Sequence, residues 1–593
     1  MRFALPSRLR ALVLLLCFAM VAAACTAEEP ADTTTATSES EPEPTTTTSG
    51  ETGTTAEAET TTTAAAEGGE EVTRLIFAVP PPEQGESNNP NRDVQPNDEY
   101  QLKPMYENLI AVDPETAEWT PMLAESWELN EAGDQLTFHL RQGVQFHNDF
   151  GEMTAADVVF SLTDLIEPAG ALSGVAEAVR NAVEEFEIVD DYTVIFHVGE
   201  GMSYSFFEGL SYGAAGAVIK SQADWESRGG GSPASPSMDE APIAGTGPYQ
   251  FVERTAGQNV VFERVPYEHW RKDGEFQEIE YRYIGENATR LSALLANEVH
   301  MTDLPQELGD EAEAQGMAVI RSALPGRRYG LALEGCYYVE PPQPGLTAAE
   351  VFVSGDRKFP DSPWCNRDIR LAANKAIDRD ALNEAFFGGE AETAFMWYWL
   401  PEQTASWNPE WEERYPEHIG YDPEGAVAAL EAAGFGPGEV SIQVYAKDDL
   451  SEAVGTMLEE VGFAVELVSM DGGQFSAMRE NREFDRMVEF DDTASENITG
   501  FEPAGYGNQD SGRAIEMVEW DTQYEAVLAE LDPAAQQELW RAFGDLIFEE
   551  APHIPLLRTF SETVVNPGVV CGYTYPGANM SAPYSFVEYI EAC

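Results

Sequence analysis

The residues of this 593-residue chain form none of the common catalytic constellations. The sequence contains no Gly-x-Ser-x-Gly elbow, no His-Glu-x-x-His helix and no Gly-Lys pair of a phosphate-binding loop. Carboxylates are so abundant that no single pair of them indicates acid–base chemistry. We therefore expect no catalytic residue, no metal and no cofactor, and we turn to side chains that could bind a ligand.

Three consecutive aromatic residues, Trp397, Tyr398 and Trp399, are candidates for ligand contact. Three large rings in succession before Pro401 cannot all point into one core, so we expect at least one of them to face a cleft. Aromatic rings supply contact area in a binding cleft, while a few polar groups set the orientation of the ligand. The alternative is that neighbouring loops cover all three rings.

The N-terminus has the pattern of a secretory signal. Three arginines precede an apolar run at 11–24, and small residues then lead into Cys25, as at the cleavage sites of bacterial lipoproteins. We expect residues 1–25 to form a lipoprotein signal with Cys25 lipidated; ordinary cleavage that leaves Cys25 unmodified is the alternative. Residues 26–71 contain no Lys, Arg or aromatic residue and predict a disordered stalk. This arrangement predicts an exported protein, lipid-anchored at the outer face of the cytoplasmic membrane (periplasm or cell surface).

The net charge of −72, from 33 basic and 105 acidic residues, makes nucleic acid an implausible partner. Only six of the basic residues are lysines. Salt screens the self-repulsion of such a surface, so the composition suits a protein that works in salty water.

Four cysteines remain once Cys17 is assigned to the signal and Cys25 to lipidation. They are Cys336, Cys365, Cys571 and Cys593. An even number in an exported chain indicates disulfides, and we favour the two local pairs, Cys336 with Cys365 and Cys571 with Cys593. Each closed loop would stabilise the fold by about 3 to 4 kcal/mol. Two other pairings and a zinc site are the alternatives, although none of the four lies in a Cys-x-x-Cys pair.

The stretch 124–162 predicts a rigid β-β-α unit. Apolar and polar residues alternate from Leu136 to Leu140, as in a half-buried strand, and the alternation resumes at 143–147 after a short turn. Thr154 and Asp157 have the spacing of a helix cap, and the residues after them place an apolar stripe on one helix face.

The same stretch closely resembles the family 5 extracellular solute-binding proteins of ABC transporters, the receptors for peptides, nickel and oligosaccharides. The resemblance continues through most of 73–560. The residues that carry it include Ala124-Glu-Ser-Trp127, Leu136-Thr-Phe-His-Leu-Arg141, Gly143-Val-Gln-Phe-His147, Thr154-Ala-Ala-Asp-Val-Val-Phe-Ser161, Gly245-Thr-Gly-Pro-Tyr249 and Pro552-His-Ile-Pro-Leu556.

The resemblance implies an α/β fold of the periplasmic-binding-protein type, with two main lobes, an extra subdomain and a ligand cleft between lobes. Residues 72–593 would form this solute-binding domain. Lobe I would be discontinuous and would comprise 72–112, 215–322 and 555–593. Lobe II would be continuous, at 113–214. Lobe III would be the longest, at 323–554.

The resemblance also implies ligand-binding residues. Tyr329 lies on a strand that lines the cleft in relatives, and a core tyrosine is the alternative. Peptide receptors of the family place an aspartate in a loop to hold the α-amino group of the peptide. The corresponding residues here are Phe490, Asp491 and Asp492, but the Trp and the Asp-Pro of the family pattern are missing. A solvated acidic loop is the alternative.

The function implied is that of a monomeric, non-enzymatic receptor that captures an oligopeptide or similar small solute and delivers it to an ABC permease complex in the membrane. A receptor for an oligosaccharide or a metal chelate is the first alternative. A secreted hydrolase and a sensory lipoprotein without an importer are the others.

Overall fold

A computed structural model gives the structure of the protein. It divides the chain into two compact units, Met1–Gly69 and Glu70–Cys593. The residues that the structure describes all belong to the second unit: 73–82, 86–90, 100–113, 118–166, 176, 179–180, 182–199, 204–211, 217–230, 238, 240–340, 355–401, 404, 406–494, 515–530, 533–574 and 586–593. The predicted signal, Cys25 and the predicted stalk lie outside them. In the described part of the chain, no helix has the length and hydrophobicity that crossing a membrane would require.

The second unit is a mixed α/β structure, as predicted. Its strands are β1 (Arg74–Val79), β2 (Ile110–Val112), β3 (Trp119–Pro121), β4 (Ala124–Leu129), β5 (Gln135–Leu140), β6 (Val183–Asp190), β7 (Thr193–Val198), β8 (Tyr249–Thr255), β9 (Asn259–Arg264), β10 (Glu278–Tyr283), β11 (Met301–Thr302), β12 (Ala318–Glu334), β13 (Glu392–Thr393), β14 (Val440–Tyr445), β15 (Phe463–Val468), β16 (Met487–Ala494), β17 (His553–Val565), β18 (Val570–Tyr573) and β19 (Ile590–Ala592).

The helices are concentrated in the second half of the described chain. They are α1 (Ala155–Ile166), α2 (Tyr204–Leu210), α3 (Gln222–Ser227), α4 (Asn287–Leu295), α5 (Gln306–Ala314), α6 (Arg367–Ala376), α7 (Arg379–Phe386), α8 (Pro409–His418), α9 (Pro423–Ala432), α10 (Asp449–Glu460), α11 (Gly472–Glu480), α12 (Val518–Ala529) and α13 (Pro533–Glu550), with short 3-10 turns at His147–Asp149, Pro363–Cys365 and Val587–Tyr589.

Two long strands, β12 and β17, run through the middle of the main sheet. Among the described residues this sheet has the order β15-β14-β16-β12-β17-β11-β1-β10-β9-β8, with β13 added beside β17. β12 has 17 residues and β17 has 13, and they pair antiparallel from Ala318–Val565 to Ala332–His553. The strands on one side of the pair come from 74–302 and those on the other from 440–494. These two strands therefore form the continuous connection between the two halves of the sheet.

The predicted β-β-α unit is present, with one correction. β4 and β5 pair antiparallel in a separate sheet of order β4-β5-β7-β6, and the Asp157 carboxylate accepts the backbone N–H of Thr154 over 3.0 Å at the start of α1. The strand predicted at 143–147 is reduced to an isolated antiparallel bridge between Gln145 and Glu152. Gly143 adopts a φ of +79°, and Val144 and Phe146 after it are buried in the core. The backbones of these two residues exchange hydrogen bonds with Met153 and Gly151, so the alternation reflects burial beside a very short pairing.

Three large hydrophobic clusters lie in the described residues. One is drawn from 331–557, and a second combines residues between Leu75 and Met301 with residues from Val565 to Ile590. The third lies mainly between Leu109 and Ile219. The first cluster lies mainly in the segment predicted as lobe III, the second in the segments predicted as lobe I and the third in the segment predicted as lobe II. The lobe boundaries themselves stay a prediction.

Both favoured cysteine pairs are disulfide-bonded in the structure. Cys336–Cys365 closes a loop of sequence separation 29, and Cys571–Cys593 closes one of 22. Cys336 and the neighbouring Trp364 are fully buried. The first bond therefore fastens the ends of its loop into the core, while 341–354 of that loop lie outside the described residues.

Candidate functional site

A cavity of about 610 Å³ lies beside the β12–β17 pair and is large enough for a small ligand. Its walls come from the start of α4, the segment between β11 and α5, the segment after α7 and the two long strands. The lining residues are Asn287, Arg290, Asp303, Leu304, Pro305, Gln306, Glu307, Arg327, Tyr329, Phe386, Phe387, Glu390, Ala391, Thr559, Phe560, Ser561 and Glu562.

Tyr329 lies in the wall of this cavity and belongs to an aromatic group. Its ring centroid is 4.9 Å from that of Phe387 and 6.1 Å from that of Phe490. Phe490 reaches Tyr329 because β16 pairs with β12 in the register Leu331–Phe490. Phe490 itself is buried and does not line the cavity. The ligand-binding roles of both residues stay predictions, and the structure brings the two together.

Polar contacts of Arg321 and Gln306 connect the cavity walls. The Arg321 guanidinium forms ion pairs with Glu390, on the segment after α7, and with Glu562 of β17, whose Oε1 is 2.6 Å from Arg321 Nε. Gln306 at the start of α5 donates from Nε2 to the carbonyl of Phe387 over 2.9 Å. Burial raises the pKa of Glu562, although Arg321 acts in the opposite direction. Polar contacts thus connect the segment after α7 with α5 and with the long strands.

Trp397, Tyr398 and Trp399 are all at most 2% exposed. The expectation that at least one ring faces a cleft is therefore wrong for this structure. The reason is that two separate layers cover them. Trp399 packs against Trp411 and Phe543 in the core at ring-centroid distances of 6.0 and 5.9 Å. Their ligand-binding role stays a prediction, and none of the three lines the cavity.

Trp397 and Tyr398 pack on the long strands. The Trp397 ring stacks on His553 of β17 with centroids 5.8 Å apart and an interplanar angle of 5°, and the Arg328 guanidinium lies 4.8 Å from its centroid. Arg328 also lies 5.1 Å from the Tyr398 ring centroid. Side chains alternate along a strand, so Arg328 and Tyr329 point to opposite faces. Trp397 and the cavity are therefore on opposite faces of β12.

Asp491 and Asp492 lie in strand β16, although the sequence places them in a loop. Their backbones pair with Gly330 and Tyr329 respectively. The chain at these two aspartates is therefore close to Tyr329 in the sheet, and their role in holding an amino group stays a prediction.

A second cavity of about 340 Å³ adjoins a group of buried charges. Arg271 lines this cavity, and its Nε lies 2.7 Å from Glu588 Oε1; its Nη2 lies 3.5 Å from Glu107. Trp270 donates from Nε1 to Glu107 over 3.1 Å. Burial raises the pKa of Glu588. The ion pairs of Arg271 connect segments that are far apart in the chain, around Glu107 and Glu588. This arrangement of charges suits a structural role.

The sequence did not single out most of the cavity-lining residues. Arg290, Asp303 and Glu390 belong to segments of ordinary composition, and only the tertiary structure brings them together. The position of Asp303 directly after a short buried strand was the available signal. Within the described residues, no group of His, Cys, Asp and Glu side chains is arranged to hold a metal ion.

Comparison with known proteins agrees with this fold. The chain is 26% identical over 355 residues to heme-binding protein A of Haemophilus influenzae, an alignment that spans 56% of each chain. It is 24% identical over 396 residues to the dipeptide-binding protein of Escherichia coli, spanning 63% of this chain and 67% of that protein.

Solved structures are also similar. The periplasmic binding protein DppA of Helicobacter pylori in complex with the peptide STSA matches with a TM-score of 0.63 at 19% identity, covering 87% of this chain and 98% of that one. NikA of Brucella suis in complex with Fe(III)-EDTA matches with a TM-score of 0.68 at 20% identity, and the alignment covers 88% of this chain and 100% of that one. The periplasmic-binding-protein fold that the resemblance implies is therefore confirmed.

The family model described as "Bacterial extracellular solute-binding proteins, family 5 Middle" matches residues 118–495, which is more than half of the chain. The chain belongs to family 5 of the bacterial extracellular solute-binding proteins.

Proposed function

We propose that the protein is the solute receptor of an ABC importer, that it captures an oligopeptide or a similar small solute outside the cytoplasm, and that it delivers this solute to a permease complex without transforming it. The observation that carries the proposal is the cavity of about 610 Å³, which is lined by α4, the start of α5, the segment after α7 and the two long strands β12 and β17. A receptor needs a cleft of this kind between two bodies that can move.

The two long strands would act as the hinge. β12 and β17 pass from the part of the sheet assigned to lobe I into the part assigned to lobe III, so a small change in their twist would alter the width of the cavity. Hinge closure around a ligand is an established way for two-lobed proteins to change shape on binding. The ligand then shifts the equilibrium toward the closed form, which the membrane partner distinguishes from the open one.

The ligand class is inferred from the proteins to which the chain is similar. The two relatives described above are named for heme and for dipeptides, and the two structural neighbours hold a peptide and Fe(III)-EDTA. An oligopeptide is our first choice, because peptides account for two of these four. An oligosaccharide or a metal chelate is the alternative.

Membrane attachment forms part of the proposal. A lipid on Cys25 and a flexible stalk would keep the receptor close to its permease and raise its effective concentration there. Cys25→Ala should move the protein from the membrane fraction to the soluble fraction of the cell. An unchanged distribution would contradict lipid anchoring and leave the receptor role untouched.

The receptor role is tested by native mass spectrometry of the purified mature protein, before and after denaturation. A co-purified small molecule that is released intact supports a receptor, whereas conversion of added peptides into products indicates a hydrolase. If the ligand carries an amino group, Asp491→Asn and Asp492→Asn test the family-type anchor. Unchanged affinity in both variants would remove these two residues from the site.

A further inference from the structure

Within the described residues, one carboxylate in the cavity wall lacks the ion pair that Glu390 and Glu562 form with Arg321. Asp303 follows β11 and precedes α5, and it is half-buried. Its Oδ1 atom is buried and has no hydrogen-bond partner among the described residues. A buried acceptor without a partner costs stability, so it needs an explanation.

Arg290, whose charge acts on Asp303, forms no ion pair with its carboxylate in the described part of the chain. Arg290 donates from Nε to the backbone carbonyl of Asp303 over 3.3 Å and from Nη1 to the carbonyl of Ile284 over 2.9 Å. Its Nη2 donates to Asn287 Oδ1 over 2.5 Å. The Arg290 guanidinium thus donates its hydrogen bonds to backbone carbonyl oxygens and to a side-chain amide oxygen. Burial raises the pKa of Asp303, and the charge of Arg290 only partly offsets this effect.

Asp303 also lacks the usual structural role for an aspartate near a helix start. α5 begins at Gln306 with Pro305 as its N-cap, and no side chain accepts a hydrogen bond at that cap. Glu562, another half-buried acid of the wall, is paired with Arg321. Asp303 therefore differs from Glu390 and Glu562 in having no ion pair within the described residues, and it has no capping function.

The surroundings of Asp303 suit a cationic ligand with an organic body. Aromatic rings of Tyr329, Phe386, Phe387 and Phe560 line the same cavity. Aromatic faces attract cations and supply apolar contact area, and a carboxylate in a partly dry site forms strong charge-assisted hydrogen bonds with ammonium or guanidinium groups.

We propose that Asp303 anchors a positively charged amino or guanidinium group of the ligand in this cavity, while the body of the ligand packs on Tyr329 and Phe387. The assignment rests on the proposed function and narrows its substrate class to cationic or amine-bearing solutes. It also places the charge anchor on a segment assigned to lobe I, away from Asp491 and Asp492.

The test compares pooled tripeptides that carry a free amine with the same tripeptides after N-acetylation, using native mass spectrometry and calorimetric titration on the mature protein. The variants are Asp303→Asn and, as the matched control, Asp310→Asn on the exposed side of α5. Both substitutions remove one negative charge from the same helix region. Asp303→Glu keeps the charge and should retain part of the affinity.

We expect Asp303→Asn to weaken binding of the free-amine peptides by about tenfold, and Asp310→Asn to leave it unchanged. N-acetylation should weaken binding to the wild type by a similar factor and have no further effect on Asp303→Asn. The comparison of peptides on the wild type needs no variant, so the test stands even if Asp303→Asn folds poorly.

Equal affinity of free-amine and acetylated peptides for the wild type would overturn the assignment, and so would unchanged affinity in Asp303→Asn. Binding of maltotriose or Fe(III)-EDTA in place of any amine-bearing peptide would also overturn it and leave the receptor role standing. If no probe of any class binds the wild type, both the receptor role and the anchor fail.

Discussion

Replacing Gly330 by alanine is expected to destabilise the protein, because the indole of Trp397 occupies the space that a methyl group would need. A Cβ at Gly330 would lie 2.3 Å from Cζ3 and 2.5 Å from Cε3 of Trp397, and 3.2 Å from the carbonyl oxygen of Ile554. The indole has little room to retreat, since it stacks on His553 and lies against Arg328. The clash must be relieved by moving β12 or a large buried ring.

Overpacking of this kind costs about 1–3 kcal/mol, and the enclosed position of the ring places Gly330→Ala at the upper end. The assay is denaturant unfolding at fixed high salt, followed by tryptophan fluorescence and circular dichroism. The matched control is Gly309→Ala in α5, where a Cβ would lie 3.9 Å from Val564 Cγ2. This helical substitution should stabilise the protein by about 0.5–1 kcal/mol. Equal unfolding midpoints for the two variants would refute the packing of Trp397 against β12.

Three further predictions concern a disulfide, a buried histidine and the contact across the cavity. Replacing both Cys336 and Cys365 by serine should lower the free energy of unfolding by about 3 to 4 kcal/mol, because the bond closes a loop of separation 29; a reductant that destabilises the double variant as much as the wild type would contradict this. Burial lowers the pKa of His147 to about 4, with His269 and Glu107 as charged neighbours. Because the folded state favours the neutral ring, the unfolded chain binds a proton more readily between pH 6.5 and pH 4. The free energy of unfolding should therefore be highest above about pH 6.5 and should fall by about 3 kcal/mol as the pH is lowered to 4. His147→Gln should flatten the pH dependence of the unfolding midpoint, and parallel curves would contradict the assignment. Arg321→Gln should cost about 0.5–1.5 kcal/mol for two partly exposed ion pairs at low salt and less at 1 M NaCl; a cost independent of salt would argue against an electrostatic contact.

Local structure was predictable where one segment carries its own signal. The cap formed by Thr154 and Asp157 starts α1 as expected, because both partners lie within four residues of each other. α9 carries a local signal of the same kind, because the Asp422 side chain accepts the N–H of Gly425 over 2.9 Å and Pro423 occupies the first turn. The segment 143–147 shows the limit of periodicity. Val144 and Phe146 alternate because a core covers them, and the pattern does not reveal that the pairing stops after the single bridge Gln145–Glu152.

The site was less predictable, because its residues converge only through the sheet order. Asp303 and Glu390 are 87 residues apart in the chain and line one cavity because β17 pairs with both β11 and β13. No local pattern encodes that pairing. The three consecutive aromatic residues were conspicuous in the sequence, but their size suits the buried layers on either side of them equally well. Residue type alone does not distinguish a ring that covers a strand from one that contacts a ligand.

The two faces of β12 separate the aromatic residues that the sequence suggested for one site. Tyr329 points into the cavity, whereas Gly330 and Arg328 face Trp397. A ligand in the cavity would touch Tyr329 directly and would sense Trp397 only through the strand between them. Tyr329→Leu should therefore weaken ligand binding more than it lowers the unfolding midpoint. Trp397→Phe should do the reverse and cost about 1–3 kcal/mol of stability through the space it empties. If Trp397→Phe weakens binding as much as Tyr329→Leu while both proteins remain equally stable, the ligand occupies the other face of the hinge strands.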